Sequence, residues 1–405
     1  MLGDAKSRSS ARPLVTGESA KPSLLYISPV VPSLTGNGLA MRGGMVLEAL
    51  SREYRVSLLV VPLYPPFETA IPEYFLGLCE RSAYTSADEA VGVFRSHSFD
   101  VIHAFRLSVL LYARAYFGER GKQFRCLDLD DIESTTHRRM GALYRTNGDS
   151  PRAAEEETAA NRHLLLEGVA FRMVDQVYVC SESDRLRLIE RCPADVAVVP
   201  NAVREPANIA PADSGIFRFL FLGNLSYYPN HDAVVWFCSA ILPLIRQRTS
   251  IPFEVDIAGR NAPENSEMLV VQAGARFVGG VPDVAPLYAA AHAVIAPLRT
   301  GGGSRIKILE AFSYGRPVIT TPAGIEGIEA VNGHDVLIRE SAEEFADGCI
   351  RLMTDRPAGD RLARNARVLW SRAYSSEALQ RKVSSLVRPQ AHQGSRSDGT
   401  PPAAT

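Results

Sequence analysis

Short, unbroken apolar runs alternate with amphipathic stretches along most of the chain. "SLLYISPVV" (Ser23–Val31), "RVSLLVVPLY", "FDVIHAF", "FRCLDLDDI", "QVYVCSESD" and "VAVVPNAV" read as strands in the first half. They lack the apolar–polar alternation of a half-exposed sheet. That predicts strands covered on both faces, and hence a parallel sheet flanked by helices. "MVLEALSREY" and the stretch from Ala153 to Met173 carry helical spacing, and Ser181 to Asp184 suit a helix N-terminus.

The rhythm breaks at "REPANIAPADSGI", residues 204–216, whose Pro, Ala, Asn and Asp content predicts a domain boundary. It then restarts. "FRFLFLGNL", "FEVDIAGRN", "ARFVGGV", "HAVIAPL", "RPVITTP" and "HDVLI" read as strands. "HDAVVWFCSAILPLIRQR", "SRIKILEAFSYG", "AEEFADGCIRLMTD" and "DRLARNARVLWSR" read as helices, with Gly315 closing the second of them. The expected fold class is α/β: two tandem Rossmann-like domains facing across a cleft, 22–203 and 217–387, with the last helix free to pack back on the first domain. Residues 1–21 and 388–405 are expected to be tails. A ligand belongs between the domains, at the C-terminal ends of the strands.

Composition narrows the function classes. The 405 residues carry a net charge of -1, from 44 Lys+Arg against 45 Asp+Glu, which argues against nucleic acid as the main partner. Six scattered cysteines without a C-x-x-C are expected to be reduced core residues in a cytoplasmic protein, with no metal site. No secretory leader or membrane span is read in the chain.

The segment "GGGSRIKILEAFSYGRPVITTPAGIEG" (Gly301–Gly327) concentrates the chemistry. Glycines at a strand-to-helix turn let backbone N–H groups approach an anion. Arg305 can pair with phosphate oxygens and Lys307 adds a second charge. Glu310, three residues after Lys307, can accept hydrogen bonds from a ribose diol. A plain surface Lys–Glu pair is the competing account. Glycine-bearing strand ends elsewhere, at Gly223, Gly259 with Arg260, and Gly324, favour the ligand account.

The blocks "FLFLGNLSYYPNHDAVVWFCSAILPLI", "IAGRNAP", "VPDVAPLYAAAHAVIAPLRTGGGSRIKILEAFSYGRPVITTPAGIEGI" and "NGHDVLI" together resemble the C-terminal half of the GT-B glycosyltransferases of family 4. The N-terminal half resembles them more weakly, through "SPVVPSLTGNG", "FDVIHAF" and "VPNAV". The resemblance implies a retaining, metal-independent transferase. Its donor is a nucleotide-diphosphate sugar such as a UDP- or GDP-hexose, and no further cofactor is expected. The acceptor is a glycan, lipid-linked or small-molecule, with peripheral contact to the inner face of a membrane left open. On this reading Arg305 and Lys307 neutralise the diphosphate and Glu310 binds the ribose. Gly38, Gly223, Asn224, Gly259, Arg260, Gly302, Gly303, Ser304, Gly324 and Ile325 line the donor site.

The chain also departs from the family pattern. The family often carries two glutamates eight positions apart, and counting back from Glu310 lands on Gly302. The family's lysine after the "GNL" turn is replaced by the neighbourhood of Asn230. Phe105 stands where an acceptor-side histidine is expected, leaving His103 either as a catalytic group in the cleft or as a packed core residue. Asn37, Arg42, Asp130 and Asp131 are the acceptor-side candidates. The run "CLDLDDIES" allows three readings: a metal-binding D-x-D, a phosphatase nucleophile at Asp128, and a structural cluster at the cleft. A sugar-nucleotide epimerase and a non-catalytic sugar-nucleotide sensor remain as alternatives to transfer.

Overall fold

A computed structural model describes residues 21–63, 70–207, 215–303 and 305–387. The expected tails 1–20 and 388–405, residues 208–214 of the expected linker, and Ser304 lie outside the described residues.

Two parallel sheets make up the fold. In the first, β1 (Ser23–Ser28), β2 (Arg55–Val60), β3 (Cys79–Tyr84), β4 (Val101–Phe105), β5 (Phe124–Asp128), β6 (Gln176–Val179) and β7 (Asp195–Val198) lie in the order β3-β2-β1-β4-β5-β6-β7. In the second, β8 (Phe217–Leu222), β9 (Phe253–Ala258), β10 (Arg276–Gly279), β11 (Ala293–Ala296), β12 (Val318–Thr320) and β13 (Leu337–Ile338) lie in the order β10-β9-β8-β11-β12-β13. The strand order reverses between β1 and β4 and again between β8 and β11, so each sheet has a switch point where crossovers leave in opposite directions.

Each strand feeds two cores because side chains alternate between faces. Leu25 and Ile27 of β1 pack with Leu59, Ile102 and Val177, whereas Leu24 and Tyr26 pack with Val46, Leu50 and Val56. In β8, Phe217, Phe219 and Phe221 enter one cluster, and Leu220 and Leu222 enter the other. The apolar runs lack alternation for this reason. The C-terminal helix Ser376–Leu386 returns to the first domain, where Leu379 and Val383 join the cluster of Leu47 and Leu50. Met41 crosses the other way, into the cluster of Leu220, Ile308 and Trp370. All six cysteines are free, and five are buried. Among the described residues no helix is long and apolar enough to cross a membrane.

Three elements differ from expectation. The sequence "CERSAY" has no apolar run, yet it forms β3, because an edge strand needs only one partner and leaves its polar side chains in water. The acidic run after β5 leads into a helix not read from the sequence, Glu133–Thr146. The single helix expected from His231 to Arg248 is Tyr228–Trp236, a π-helical Phe237–Ile241, and Leu242–Arg248. Pro243 explains the break: it lacks an N–H, and its ring collides with the carbonyl of an ideal preceding turn.

Two candidate site residues belong to the core. Arg42 is only 1% exposed. Its Nε and Nη2 donate to Asp128 Oδ1 at 3.0 and 2.7 Å, and its Nη1 donates to Val199 O and Asn201 Oδ1, both at 3.0 Å. It is therefore committed inside the first domain and does not reach toward an acceptor. His103 is also 1% exposed, stacked on Tyr26 at 5.0 Å and edge-on to Tyr178 at 5.5 Å. Its Nε2 sits 3.8 Å from Asp128 Oδ2. The catalytic alternative for His103 is thus replaced by the packed one. Burial alone pushes the Asp128 carboxyl up, but Arg42 and His103 beside it hold it below the usual carboxylate range.

Removing one partner of this buried pair leaves a charge without compensation. Arg42→Met is expected to cost about 3–5 kcal/mol. Arg42→Met combined with Asp128→Leu should recover most of that loss. Urea unfolding of the two variants against the parent protein measures both, and equal losses would refute the coupling.

Candidate functional site

The cleft floor on the C-terminal side is built around the helix Ile306–Ser313. Ile308, Leu309, Ala311 and Phe312 are buried against the sheet. Helical geometry then leaves Lys307 and Glu310, one turn apart, on the opposite face. Arg305 precedes the helix and is 8% exposed. Its guanidinium folds onto the carbonyls of Gly302 and Gly303 and donates to Ala323 O at 3.3 Å, tying the glycine loop to the turn after β12.

Lys307 is held from β8 and the helix that follows. Its Nζ donates to Asn230 Oδ1 at 2.6 Å and lies 4.5 Å from the Phe221 ring centre. Asn230 Nδ2 in turn donates to Asn224 O at 2.8 Å. A side chain at Gly223 has no room here: its Cβ would fall 2.8 Å from Lys307 Nζ and 2.9 Å from the Asn230 amide. At Gly259 a Cβ would fall 2.1 Å from Gly223 O, so the two strand ends close on each other only with glycine at 259. Enclosure in the cleft, with Arg305 nearby, lowers the Lys307 ammonium to about 7. The same enclosure pushes the Glu310 carboxyl up to about 7. The Tyr288 hydroxyl donates to Glu310 Oε2 at 3.2 Å, and its ring stacks on Tyr314 at 4.4 Å.

The structure thus brings Arg305, Lys307, Glu310, Gly223, Gly302 and Gly303 together. Asn224 and Arg260 stand on the exposed rim, where Asn224 Oδ1 accepts from the Ser226 hydroxyl at 2.9 Å and Arg260 donates to Val281 O at 3.1 Å. Gly324 and Ile325 do not offer free N–H groups. The Gly324 amide donates to Thr321 Oγ1 at 2.9 Å and the Ile325 amide to Thr321 O at 3.1 Å. Their contribution is the carbonyl of Ala323 that receives Arg305.

The first domain supplies the facing wall. Asn37 caps the helix Gly38–Glu53 by accepting from the Leu39 amide at 2.9 Å. A Cβ at Gly38 would stand 3.3 Å from Ile306 Cδ1, so the two helix starts meet across the cleft. Asp130 is committed to bracing. Its carboxylate accepts from Arg106 at 3.5 Å and from Asn201 at 3.5 Å, and the Cys180 thiol donates to its carbonyl at 2.8 Å. Asp131 instead faces the glycine loop of the other domain. Asp128 is spent on Arg42 and the Asp130 amide, which leaves no D-x-D pair aimed at a common ion. Among the described residues no group of three or more His, Cys, Asp or Glu is arranged to hold a metal.

Sequence reasoning did not find Arg106, Tyr227 or the clamp residues. Arg106 has a positive φ of 76°, a strained backbone for a non-glycine residue, immediately after β4 at the switch point. Its guanidinium holds Glu133, whose carboxyl burial would raise but which His163 and Arg106 hold down at about 2. Position directly after a switch-point strand was the available signal. Tyr227 stands beside Asp131 and Arg305; its side chain is partly exposed, but desolvation at its hydroxyl, with the Asp131 charge, pushes the phenol up.

A polar clamp closes one side of the cleft. Arg139 makes a two-pronged pair with Glu326, at 2.6 and 2.9 Å, and donates to Gly301 O at 3.2 Å. Arg187 joins the same carboxylate. Asn147 donates to Asp232 Oδ1 at 2.9 Å and to the Tyr228 hydroxyl at 2.8 Å, while Tyr144 stacks on Tyr228 at 3.8 Å. Between these groups lies a cavity of about 500 Å³, lined by Arg139, Leu143, Thr146, Arg299, Pro322 and Ala323.

Comparison with known proteins bears on the fold. Residues 216–355 match the family described as Glycosyl transferases group 1. No curated protein matches the chain by sequence. Sucrose-phosphate synthase from Thermosynechococcus elongatus superposes with a TM-score of 0.68 at 16% identity, covering 90% of this chain and 98% of that one. HepE of Anabaena, in complex with UDP and glucose, superposes at 0.65 and 13% identity, with the same coverage. A glycosyltransferase from Rickettsia africae superposes at 0.63 and 14% identity, covering 90% and 97%. At such identities the likeness is one of fold. The GT-B resemblance read from the sequence is borne out over both domains.

Glu326 receives two arginines from the opposite domain. Glu326→Ala is therefore expected to loosen closure without unfolding either sheet. Solution scattering of the unliganded protein should show a larger radius of gyration with unchanged far-UV circular dichroism. An unchanged radius would mean that the clamp does not hold the domains.

Proposed function

We propose that the protein transfers a hexosyl unit from a nucleotide-diphosphate sugar to an acceptor hydroxyl, with retention at the anomeric carbon. The observation that carries this reading is the placement of Arg305, Lys307 and Glu310 along one short helix and its first turn, with Arg305 near Asp131 of the other domain. Among the described residues neither cation sits in an ion pair, so neither charge is cancelled by a carboxylate. A diphosphate supplies the opposite charge, and Glu310, one helical turn from Lys307, offers an acceptor to a ribose. The group 1 match over this domain and the UDP held by the similarly folded HepE support the same assignment.

The chemistry follows from where charge develops. The bond between C1 of the sugar and the distal phosphate oxygen breaks, and its electron pair leaves with the diphosphate. Arg305 and Lys307 lie where they stabilise that added charge, with no metal step required. The acceptor oxygen bonds to C1 from the face the phosphate leaves, and its proton passes to a phosphate oxygen. Retention follows from that front-face route. Closure of the two domains excludes water, which protects the donor from hydrolysis. The acceptor lies on the N-terminal side, a glycan or other hydroxyl-bearing molecule. The free, mostly buried cysteines support a cytoplasmic working place.

Two measurements test the donor site. Arg305→Ala should weaken UDP or GDP binding about 10- to 100-fold, the equivalent of a charge-assisted hydrogen bond of about 1.5–3 kcal/mol. A variant with full nucleotide-induced thermal stabilisation and full transfer would refute the assignment. Second, Lys307 has an ammonium lowered to about 7, so at pH 8 it is mostly neutral. A bound diphosphate favours its protonated form, so binding at pH 8 should take up protons. Titration calorimetry in buffers of different ionisation enthalpy reads this uptake, and Lys307→Met should abolish it.

A further inference from the structure

The glycine loop meets a carboxylate from the opposite domain. A Cβ at Gly302 would fall 2.0 and 2.3 Å from the two carboxylate oxygens of Asp131, and 1.8 Å from Thr136 Oγ1. A side chain from the N-terminal domain therefore occupies the space that any residue but glycine at 302 would fill with its own.

That carboxylate is held in place yet poorly satisfied. Thr136 is buried, and its hydroxyl donates to Asp131 Oδ1 at 2.7 Å. Among the described residues Asp131 Oδ2 receives no hydrogen bond. Arg106 and Arg305 are close enough for their charges to act on it. Burial pushes the Asp131 carboxyl up. An ionised carboxylate can accept about four hydrogen bonds, and half-buried Asp131 keeps Oδ2 open to an incoming donor. The position calls for a ligand rich in neutral donors, and hydroxyl groups are such donors.

Which hydroxyls would arrive there follows from the donor reading. A diphosphate held by Arg305 and Lys307 would bring its attached sugar beside the Gly302–Gly303 loop, whose carbonyls are already taken by Arg305. The loop itself has no side chain to read a sugar. We propose that Asp131 is a specificity-determining residue for the donor sugar, accepting hydrogen bonds from its hydroxyls across the domain cleft. This proposal rests on the donor reading above. The nucleotide is then bound by one domain, and the sugar is read only when the other domain closes on it.

The test compares a sugar nucleotide with its parent diphosphate. UDP-glucose, GDP-mannose, UDP and GDP are titrated into the wild-type protein, Asp131→Ala and the near-isosteric Asp131→Asn. With the sugar nucleotide that binds, both substitutions should lower affinity about tenfold or more, while the parent diphosphate stays within about twofold. A monodeoxy donor lacking the recognised hydroxyl should bind worse than the full sugar to the wild type and no worse to Asp131→Ala. Equal loss for diphosphate and sugar nucleotide would make Asp131 a structural contact and overturn the proposal, as would an unchanged sugar-nucleotide affinity. Failure of UDP and GDP alike to bind the wild type would overturn the donor reading and this proposal with it. Diphosphate binding with no effect of Asp131 would overturn this proposal alone.

Discussion

The site is organised by the enclosure of two cations that the fold prevents from separating. Arg305 and Lys307 are two residues apart at one helix start, and burial first, then the Arg305 charge, lowers the Lys307 ammonium. Neither finds a carboxylate within ion-pair distance among the described residues. Arg305 is restrained by backbone carbonyls and Lys307 by one amide oxygen, which orient the charges without cancelling them. Such an arrangement is unfavourable in the empty protein. It becomes favourable when a multivalent anion arrives, so the cost borne by the fold reappears as affinity.

The rest of the architecture holds that tension in place. Gly223 and Gly259 let the ends of β8 and β9 approach closely enough for Asn230 to reach Lys307. Opposite, the Arg42–Asp128 pair ties the helix Gly38–Glu53 to β5, and so fixes the loop that carries Asp130 and Asp131. The two walls of the cleft are thus set by interactions inside each domain. The clamp of Arg139 on Glu326 and Asn147 on Asp232 then governs how near they come. Precise walls with a separable clamp suit a site that must open to load and close to react.

What the sequence made legible was what one segment encodes by itself. Unbroken apolar runs mark strands covered on both faces, and the glycine loop with Arg305, Lys307 and Glu310 lies within ten residues of chain. The weaker readings fail where the deciding partner is distant. Nothing near Arg42 in the chain reveals that Asp128 waits 86 residues away, so a buried structural arginine looked like an acceptor ligand. His103 was ambiguous for the same reason, since Tyr26 and Tyr178 bracket it only after folding. The strand β3 was missed because an edge position removes the selection for apolar residues that marks the others. Asn230 ran the other way: a departure from the family pattern became intelligible once its amide was seen to orient Lys307.

Gly302 shows why a missing side chain can carry information that no motif states. On the sequence it is an absence, an acid lost from an expected position. In the fold, the same point is where Thr136 and Asp131 of the other domain arrive, closer than any Cβ would allow. On the proposed reading a carboxylate of the facing domain takes this role, and that alters when it acts. An acid on the glycine loop would meet the sugar as soon as the nucleotide bound. An acid on the facing wall meets it only on closure, so correct sugar and closed cleft stabilise each other. A nucleotide bearing no sugar leaves Asp131 unmet and gains nothing from closing around it. Coupling recognition to closure in this way places the check on the donor at the step that also excludes water.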